Sequence, residues 1–263
     1  MKILKNDKKI FFFDIDGTLA VGKKIPDSTK KAIQLLKNNN DLIFICTGRP
    51  YHYVKHYFYE YADGFITSNG RYIIYHDQVL LDEPLTQQQV SYFIQVMREN
   101  NCGFVFIGEK HGYLECHDHH HKEQLLQSYF DGYFLTKFRD KDVCGYMFDI
   151  YCQSQQHLLD MQKIFKDKVV FNQHYPYFSA DATILGVDKG VGIDCVLDYF
   201  QIQKENAFAF GDGSNDLCMF KHVGHSIAMG NAIDALKKEA EYVTTSIDQD
   251  GVYQALQYYG VID

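Results

Sequence analysis

The chain has 263 residues, a length that suits either one large domain or two moderate ones. Hydrophobic residues make up 46% of it and charged residues 23%, close to the averages of about 45–50% and about 25% in globular domains, so disorder is excluded. The net charge of −8 argues against a broad nucleic-acid-binding face and against docking on anionic lipid, since both need an excess of basic residues. The net charge still allows an anionic small molecule to bind, provided that positive charge is concentrated at its binding site.

The seven cysteines are scattered along the chain, and none forms a Cys-x-x-Cys pair. This pattern favours reduced thiols over a disulfide framework or a zinc ribbon. The residues after Met1 become charged before an apolar signal core can form, and no apolar run approaches the ~18 residues of a membrane span. We therefore expect a cytoplasmic protein without a nucleic-acid or membrane partner. The sequence leaves the oligomeric state open.

The first third of the chain alternates short apolar runs with amphipathic segments. The runs predict strands over Ile10–Phe13, Leu42–Cys46 and Gly64–Thr67, and the segments predict helices over 28–39 and 51–61. Ser28 or Thr29 is placed to cap the first helix. Fully apolar strands that alternate with helices are typical of a parallel sheet covered on both faces.

From about Arg71 the pattern changes to short strands mixed with helices, and near Lys189 the parallel pattern returns. The middle region predicts strands at 72–75, 79–81, 103–107 and 146–151, and helices at 87–99 and 155–165. After Lys189 the sequence predicts a helix and then strands at 207–210, 225–228 and 242–243. The predicted fold class is α/β. A doubly wound, Rossmann-like parallel-sheet core, residues 1–81 and 187–263, would carry an inserted α+β cap, residues 82–186.

Polar and acidic residues follow three of the predicted core strands. They are Asp14-Ile15-Asp16-Gly17-Thr18, Thr47-Gly48 and Gly211-Asp212-Gly213-Ser214-Asn215-Asp216. Ligands of open α/β sheets bind outside the carboxyl ends of the strands, so one crevice could gather all three segments. Asp14 and Asp16 can turn to the same side as they leave the strand, because they are two residues apart. Gly17 allows the chain to turn there, and the Thr18 hydroxyl could stabilise that turn.

The chemistry of these side chains indicates a Mg²⁺ site beside a phosphate site. Several carboxylates in one crevice suit Mg²⁺, which prefers about six oxygen ligands. A phosphate group would need hydrogen-bond donors as well. The candidate donors are the Thr47 hydroxyl, the Gly48 backbone N–H, the Lys189 ammonium and the Asn215 amide.

In their order along the chain these motifs resemble those of the haloacid dehalogenase-like hydrolase superfamily, specifically its Cof-type sugar-phosphatase branch. The matching motifs are DxDGT from Asp14, TGR from Thr47, GVDKG around Lys189 and GDGxND from Gly211, and the resemblance spans the whole chain. It implies an enzyme that hydrolyses small phosphate monoesters, with sugar phosphates favoured. It also implies that Asp14 attacks phosphorus and becomes an aspartyl phosphate, while Asp16 protonates the leaving oxygen and then activates water.

The same resemblance implies the ligand-binding residues. Mg²⁺ would be held by the carboxylates of Asp14 and Asp212 and by the backbone carbonyl of Asp16, while Asp216 would orient the waters bound to it. The phosphoryl oxygens would be held by Thr47, Gly48, Lys189 and Asn215.

Two other functions stay open, a phosphomutase of the same superfamily and a phosphometabolite-binding regulator without catalysis. The run His117-Asp118-His119-His120-His121 could bind a metal, although such runs are more often solvated loops. The sequence does not identify the physiological substrate. We expect the inserted segment to close over the crevice and to read the organic part of that substrate.

Overall fold

The computed structural model describes residues 8–116, 122–123, 126, 132–174 and 176–263. The strands within these residues are β1 (Ile10–Phe13), β2 (Leu42–Cys46), β3 (Gly64–Thr67), β4 (Tyr72–Tyr75), β5 (Gln78–Asp82), β6 (Gly103–Ile107), β7 (Gly112–Glu115), β8 (Phe134–Leu135), β9 (Met147–Tyr151), β10 (Val169–Gln173), β11 (Ser179–Ile184), β12 (Ala207–Gly211), β13 (His225–Ala228) and β14 (Tyr242–Val243). The helices are α1 (Asp27–Asn38), α2 (Tyr51–Phe58), α3 (Gln87–Glu99), α4 (Gln155–Phe165), α5 (Lys189–Phe200), α6 (Leu217–Phe220), α7 (Asp234–Glu239) and α8 (Gly251–Tyr258).

The larger sheet, here called the core sheet, has eight strands in the order β14-β13-β12-β1-β2-β3-β4-β5. The strands from β14 to β3 are parallel, and β4 and β5 are added antiparallel at one edge. β1 lies between β2 and β12, so the chain order reverses on either side of it. Such a reversal opens a crevice at the carboxyl ends of the central strands. The predicted doubly wound α/β core is confirmed.

Helices cover both faces of the core sheet, which is why its central strands are apolar throughout. Successive side chains of a strand point to opposite faces, and in β1 they join two separate clusters. Phe11 and Phe13 pack with residues of α1, α2 and α8, whereas Ile10 and Phe12 pack with residues of α5, α6 and α7. Each of these side chains is fully buried and contributes about 1.5–3 kcal/mol to folding. This packing holds the carboxyl end of β1 in a rigid position.

The second sheet, here called the cap sheet, has six strands in the order β10-β11-β9-β6-β7-β8. Its strands pair antiparallel except β7 and β8. Helices α3 and α4 pack on one face, where Phe93 and Phe165 contact Phe148. The opposite face turns residues such as Met147 and Asp149 into a cavity shared with the core sheet. The residue limits 1–81, 82–186 and 187–263 for core and cap stay a prediction.

Two local predictions differ from the structure. Helix α1 begins at Asp27 with Pro26 in the N-cap position, so neither Ser28 nor Thr29 caps it, and the Ser28 hydroxyl has no hydrogen-bond partner within the described residues. The fixed φ of proline favours a helix start at this point. The predicted helix 51–61 ends as α2 at Phe58 and continues as a 3₁₀ turn over Tyr59–Tyr61.

Gly70 lies where the end of β3 meets the start of α5. Its φ of +97° is in the left-handed region, and a Cβ built there would overlap the backbone carbonyl oxygen of Asp188, which directly precedes Lys189. Glycine is required at this position for both reasons, because an L side chain would strain the backbone and also collide with it. The close approach of the two backbones sets the position of the first turn of α5.

We expect Gly70→Ala to lower the free energy of unfolding by about 3 kcal/mol, since the strain of a positive φ and the overpacking against a backbone atom add together. Gly22→Ala is the matched control, because Gly22 has a φ of +61° with nothing near its absent Cβ. The control should lose about 1 kcal/mol from strain alone. Urea unfolding of both variants measures the difference, and equal losses would contradict the predicted collision.

Candidate active site

The sequence-predicted site residues come together at the carboxyl ends of β1, β2 and β12. A cavity of about 630 Å³ lies there between the core sheet and the cap sheet. The predicted residues that line it are Asp14, Asp16, Thr47, Gly48, Asp212 and Asn215. Lys189 is buried directly behind them and contacts both Asp14 and Asp216, and Asp216 is buried as well. All eight candidates therefore belong to one site.

Lys189 is the buried centre of this group, with a side chain that is 1% exposed. Its Nζ donates hydrogen bonds of 2.7 Å to Oδ1 of Asp14 and of 2.7 Å to Oδ1 of Asp216. Burial alone would lower the pKa of Lys189, but the attraction of Asp14 and Asp216 raises it well above its usual value. The ammonium is therefore charged at neutral pH and offsets part of the carboxylate repulsion.

Asp216 holds the loop after β12 in place. The Oδ2 atom of Asp216 accepts hydrogen bonds from the backbone N–H groups of Asp212 and Gly213, each 2.9 Å long. Its other oxygen is bound by Lys189, so both carboxylate oxygens are used and the side chain has no exposure to solvent. This arrangement fixes the direction in which Asp212 leaves the strand.

Asp14 and Asp212 face each other across the cavity floor. Burial raises the pKa of Asp14 to about 8, with Lys189 opposing the shift and Asp216 and Asp212 adding to it. Burial, together with repulsion from Asp216, also raises the pKa of Asp212 to about 6. One oxygen from each of Asp14, Asp212 and Asp216 lies within 4.8 Å of the others. Asp14 therefore holds its proton at neutral pH unless further positive charge is supplied, and a divalent cation would supply it.

The turn after β1 is fixed by contacts with the loop after β12. Gly17 has a φ of +91°, and a Cβ there would overlap the Asp212 carboxylate. Thr18 donates a 3.1 Å hydrogen bond from its hydroxyl to Oδ1 of Asp212. The hydroxyl therefore orients a carboxylate across the site. The sequence had suggested instead that it stabilises its own turn. Asn231 reaches the same region, with its amide 2.9 Å from the carbonyl oxygen of Gly17.

Asp16 differs from Asp14 in its environment, because its side chain is 47% exposed and points into the open part of the cavity. The guanidinium of Arg49 contacts it through two hydrogen bonds, 3.1 Å from Nε and 3.3 Å from Nη2. An exposed pair of this kind contributes about 0–1 kcal/mol, so Asp16 can exchange partners at little cost. The two aspartates thus combine a buried carboxylate held by Lys189 with an exposed, weakly paired one.

Thr47 and Gly48 form the wall beyond β2. The Thr47 hydroxyl accepts a 3.1 Å hydrogen bond from the backbone N–H of Arg49, which shapes the turn before α2. Asn69 lies next to this turn, since its Oδ1 is 3.2 Å from the position of a Cβ on Gly48. Asn215 lines the opposite side of the cavity. Hydroxyl, backbone and amide donors therefore surround the acidic floor.

The sequence did not reveal the residues that the cap contributes to the cavity. They are Ile107, Met147, Asp149, Tyr151, His174, Tyr177, Ser179 and Asp181. They come from β6, β9 and β11 and from the segment after β10, and no motif connects them along the chain. Arg49 was visible in the TGR motif without a role, and Asn231 had no sequence signal. The run from His117 to His121 lies outside the described residues.

A buried lysine lies between two carboxylates behind the floor of a cavity, and a second sheet covers that cavity. This arrangement is expected of an enzyme that acts on phosphate esters. The family model of haloacid dehalogenase-like hydrolases matches residues 11–256. The chain therefore belongs to the haloacid dehalogenase-like hydrolase family, as its motifs predicted, and it is a phosphatase of that family acting on phosphate monoesters.

Two relatives from Bacillus subtilis match nearly the full chain. The putative phosphatase YkrA is 30% identical over 261 residues, which cover 97% of this chain and 99% of YkrA. The 5-amino-6-(5-phospho-D-ribitylamino)uracil phosphatase YitU is 27% identical over 265 residues, which cover 94% of this chain and 95% of YitU. These similarities extend across both sheets of the molecule.

Solved structures show the same architecture. The HAD subclass IIB sugar phosphatase BT4131 is similar with a TM-score of 0.82 and 27% identity, over 97% of this chain and 100% of its own. A hypothetical protein from Geobacillus kaustophilus has a TM-score of 0.84 and 28% identity, over 97% of this chain and 100% of its own.

Among the helices that the structure describes, none is long and apolar enough to cross a membrane.

His174 gives the cap side of the cavity a dependence on pH. Burial alone would lower the pKa of His174, but Asp181, with support from Asp149 and against Arg49, raises it from 6.5 to about 9. A histidine whose pKa is raised in the folded state stabilises the fold fully below the unfolded value and loses that effect as pH rises through the folded value. The contribution of His174 to the free energy of unfolding is therefore lost as the pH rises from 6.5 to about 9.

We expect the free energy of unfolding of the wild type to fall by about 1 kcal/mol more than that of His174→Gln as the pH rises through this window. This figure is kept small because the imidazole is 38% exposed and water screens its ion pair with Asp181. Urea unfolding at several pH values measures it, with His111→Gln at an exposed cap position as the control. Parallel pH profiles for the wild type and His174→Gln would contradict the assignment.

Proposed function

We propose that this phosphatase requires Mg²⁺ and hydrolyses small phosphate monoesters, with sugar phosphates favoured, through an aspartyl-phosphate intermediate on Asp14. The observation that carries the proposal is the setting of Asp14 at the tip of β1. Its carboxylate is buried and held from one side by Lys189 through Oδ1. Among the described residues, hydrogen bonds reach this carboxylate through Oδ1 alone, which leaves Oδ2 for attack on phosphorus.

The donor set fits Mg²⁺ better than softer metals. Asp14, Asp212 and Asp216 bring carboxylate oxygens close together, and hard oxygen ligands suit Mg²⁺. Because Lys189 and the backbone N–H groups of Asp212 and Gly213 already occupy both oxygens of Asp216, we assign the metal to the carboxylates of Asp14 and Asp212 and to the backbone carbonyl of Asp16, with Asp216 orienting waters. When bound, Mg²⁺ supplies positive charge that lowers the pKa of these carboxylates and offsets the charge of the phosphoryl group.

The phosphoryl group would lie between the acidic floor and the donors around it. We assign its oxygens to the Thr47 hydroxyl, the Gly48 backbone N–H, the Lys189 ammonium and the Asn215 amide. Such donors stabilise negative charge on the three equatorial oxygens in the transition state. The cap sheet above the cavity would exclude bulk water once the substrate is bound.

The reaction would proceed in two displacements. In the first, Oδ2 of Asp14 bonds to phosphorus, the bond from phosphorus to the leaving oxygen breaks, and Asp16 gives that oxygen a proton. In the second, Asp16 takes a proton from water, the water oxygen bonds to phosphorus, and the bond to Asp14 breaks to release phosphate. The exposed position of Asp16 supports this role, because it must meet a leaving group and then a water molecule.

The functions of two relatives support a small hydroxylated substrate. BT4131 is described as a sugar phosphatase, and YitU acts on a phosphoribitylamino-uracil compound. A phosphomutase would differ by requiring a bisphosphate activator, and a binding protein would differ by retaining a phosphosugar without releasing phosphate. A small phosphate ester as partner and a cytoplasmic location complete the proposal.

We expect Asp14→Asn to lower phosphate release by at least about 10⁴-fold with the fold retained, because the amide has the size of the carboxylate but is a poor nucleophile. Phosphate release from p-nitrophenyl phosphate and from a panel of sugar phosphates would be measured with Mg²⁺ and with EDTA. The wild type should need Mg²⁺. Turnover by Asp14→Asn near the wild-type rate would place the nucleophile elsewhere.

Asp16→Asn should separate the two displacements. Nitrophenolate leaves without protonation, so we expect a burst of nitrophenolate close to one equivalent and then turnover slowed by about 10²–10⁴-fold, because hydrolysis of the intermediate lacks its base. Sugar phosphates should show no burst, since their alkoxide needs a proton. Rapid-quench and stopped-flow assays measure this, with Asp27→Asn at an exposed position of α1 as the control. A burst of equal size with both substrates would contradict the assignment of Asp16.

A further inference from the structure

The cap contains a group of sulfur and nitrogen side chains on the helix-covered face of its sheet. Cys102 directly precedes β6, and Cys152 directly follows β9. The register of these antiparallel strands pairs Gly103 with Tyr151, which places the two cysteines opposite each other one residue further on. Both belong to the apolar cluster that joins the cap sheet to α3 and α4, and neither lines the substrate cavity. This group is therefore separate from the active site.

The two thiols are spaced like the sulfur ligands of a metal ion. Sγ of Cys102 lies 3.7 Å from Sγ of Cys152. Two sulfurs that each lie about 2.3 Å from a tetrahedral ion are about 3.8 Å apart, because the angle between them at the metal is about 109°. Strand pairing holds the two chain segments at this point. Both sulfurs can therefore bind one ion with little movement of the backbone.

His157 offers a third ligand from α4. Its backbone N–H donates to the hydroxyl of Ser154, the N-cap residue, which places the histidine in the first turn of the helix. One ring nitrogen of His157 and the two sulfurs all lie within 4.8 Å of one another. The backbone N–H of Gln153 donates a 3.2 Å hydrogen bond to Nδ1 of this ring, so Nδ1 carries a lone pair. Imidazole lone pairs and thiolates bind the same class of metal.

The histidine also marks the side from which an ion would enter. His157 is half-buried, whereas Gln153 and Ser154 beside it are exposed. Water can replace the hydrogen bond that Gln153 makes to the ring, which leaves that nitrogen for a metal. Three protein ligands leave a fourth position, which zinc ions with three protein ligands commonly fill with water.

The kind of donor atom selects the kind of metal. Thiolates bind Zn²⁺ and other thiophilic ions, whereas Mg²⁺ prefers hard oxygen ligands. Among the described residues, the other group of side chains placed to hold a metal is that of Asp14, Asp212 and Asp216, which offers carboxylate oxygens alone. The two groups therefore suit different ions.

We propose that Cys102, Cys152 and His157 bind one thiophilic divalent ion of the Zn²⁺ class, which ties the ends of β6 and β9 to the first turn of α4. Two bonds from sulfur and one from nitrogen to the metal form, and each thiol releases its proton to water. The hydrogen bond with Cys152, followed by burial, raises the pKa of the Cys102 thiol above its usual value. The positive charge of the ion is what removes that proton, since a coordinated thiol is deprotonated.

Co²⁺ is the spectroscopic probe for this site. Thiolate ligands give Co²⁺ a charge-transfer band in the near ultraviolet, which carboxylate and imidazole ligands do not give. The active-site aspartates and the run from His117 to His121 therefore do not contribute to this signal. The full chain would be titrated with Co²⁺ in the presence of a phosphine reductant, and Zn²⁺ would then be added to displace the cobalt. A pH indicator in weak buffer measures the protons released by Zn²⁺ alone.

We expect the wild type to give a band that saturates at about one equivalent of Co²⁺, and to release about two protons for each Zn²⁺ bound. Cys152→Ala should weaken the band and lower the affinity for Zn²⁺ by at least about 100-fold, because it removes a ligand. His157→Gln should keep the thiolate band and lower the affinity by at least about tenfold. Cys144→Ser is the matched control, because Cys144 is an exposed cysteine of the cap outside the group, and it should behave as the wild type.

Absence of the band in the reduced wild type would overturn the proposal, whether or not the two thiols form a disulfide in air. A band and a Zn²⁺ affinity that stay unchanged in Cys152→Ala and in His157→Gln would overturn it too, because the thiolates would then lie elsewhere in the chain. If Cys152→Ala fails to fold, His157→Gln decides, since its side chain lies at the solvent side of the group. Phosphate release is not measured, so the result is independent of the proposed function.

Discussion

The buried ammonium of Lys189 is the interaction on which the rest of the active site depends. Its two hydrogen bonds join Asp14 at the tip of β1 to Asp216 in the loop after β12, and its own position is set by α5. Removing such a charge from water costs several kcal/mol, and only close carboxylates offset that cost. The same carboxylates would repel each other without it. Helix, strand and loop are therefore fixed relative to one another by charge balance as well as by packing.

This charge balance also explains why Asp14 needs further positive charge nearby before its carboxyl group ionises at neutral pH. Burial, together with repulsion from Asp216 and Asp212, raises its pKa to about 8 even though Lys189 is 2.7 Å away. One ammonium does not neutralise Asp14, Asp212 and Asp216 together, and the remaining charge is what a divalent cation would balance. The site is thus built with a deficit of positive charge, which a divalent cation would fill. A phosphate ester is itself an anion, so its binding would depend on that cation and on the donors around the acidic floor.

The core and its site could be predicted from sequence because each feature is local. The fully apolar runs of β1 and β12 are followed at once by the aspartates that they position, so strand and site residue are read from the same ten residues. The cap was harder. β11 has the sequence Ser-Ala-Asp-Ala-Thr-Ile, whose polar residues hide a strand, and both β10 and β11 were missed. Asp149 and Asp181 become neighbours only through the register of strands about 30 residues apart, which no local pattern encodes.

This contrast follows from what each half of the site must do. The core must place charge around a phosphoryl group, and that task needs fixed backbone turns and buried ion pairs, which leave short motifs in the sequence. In the proposed function the cap contacts an alcohol whose shape differs between substrates, and side chains on a sheet face can change one at a time while the strands keep their pairing. Asp16 lies between the two halves, and among the described residues its side chain is bound by an exposed pair with Arg49. Since that pair contributes little, Asp16 can leave it at little cost, and this suits the proposed role of Asp16 as proton donor to whichever leaving oxygen the cap delivers.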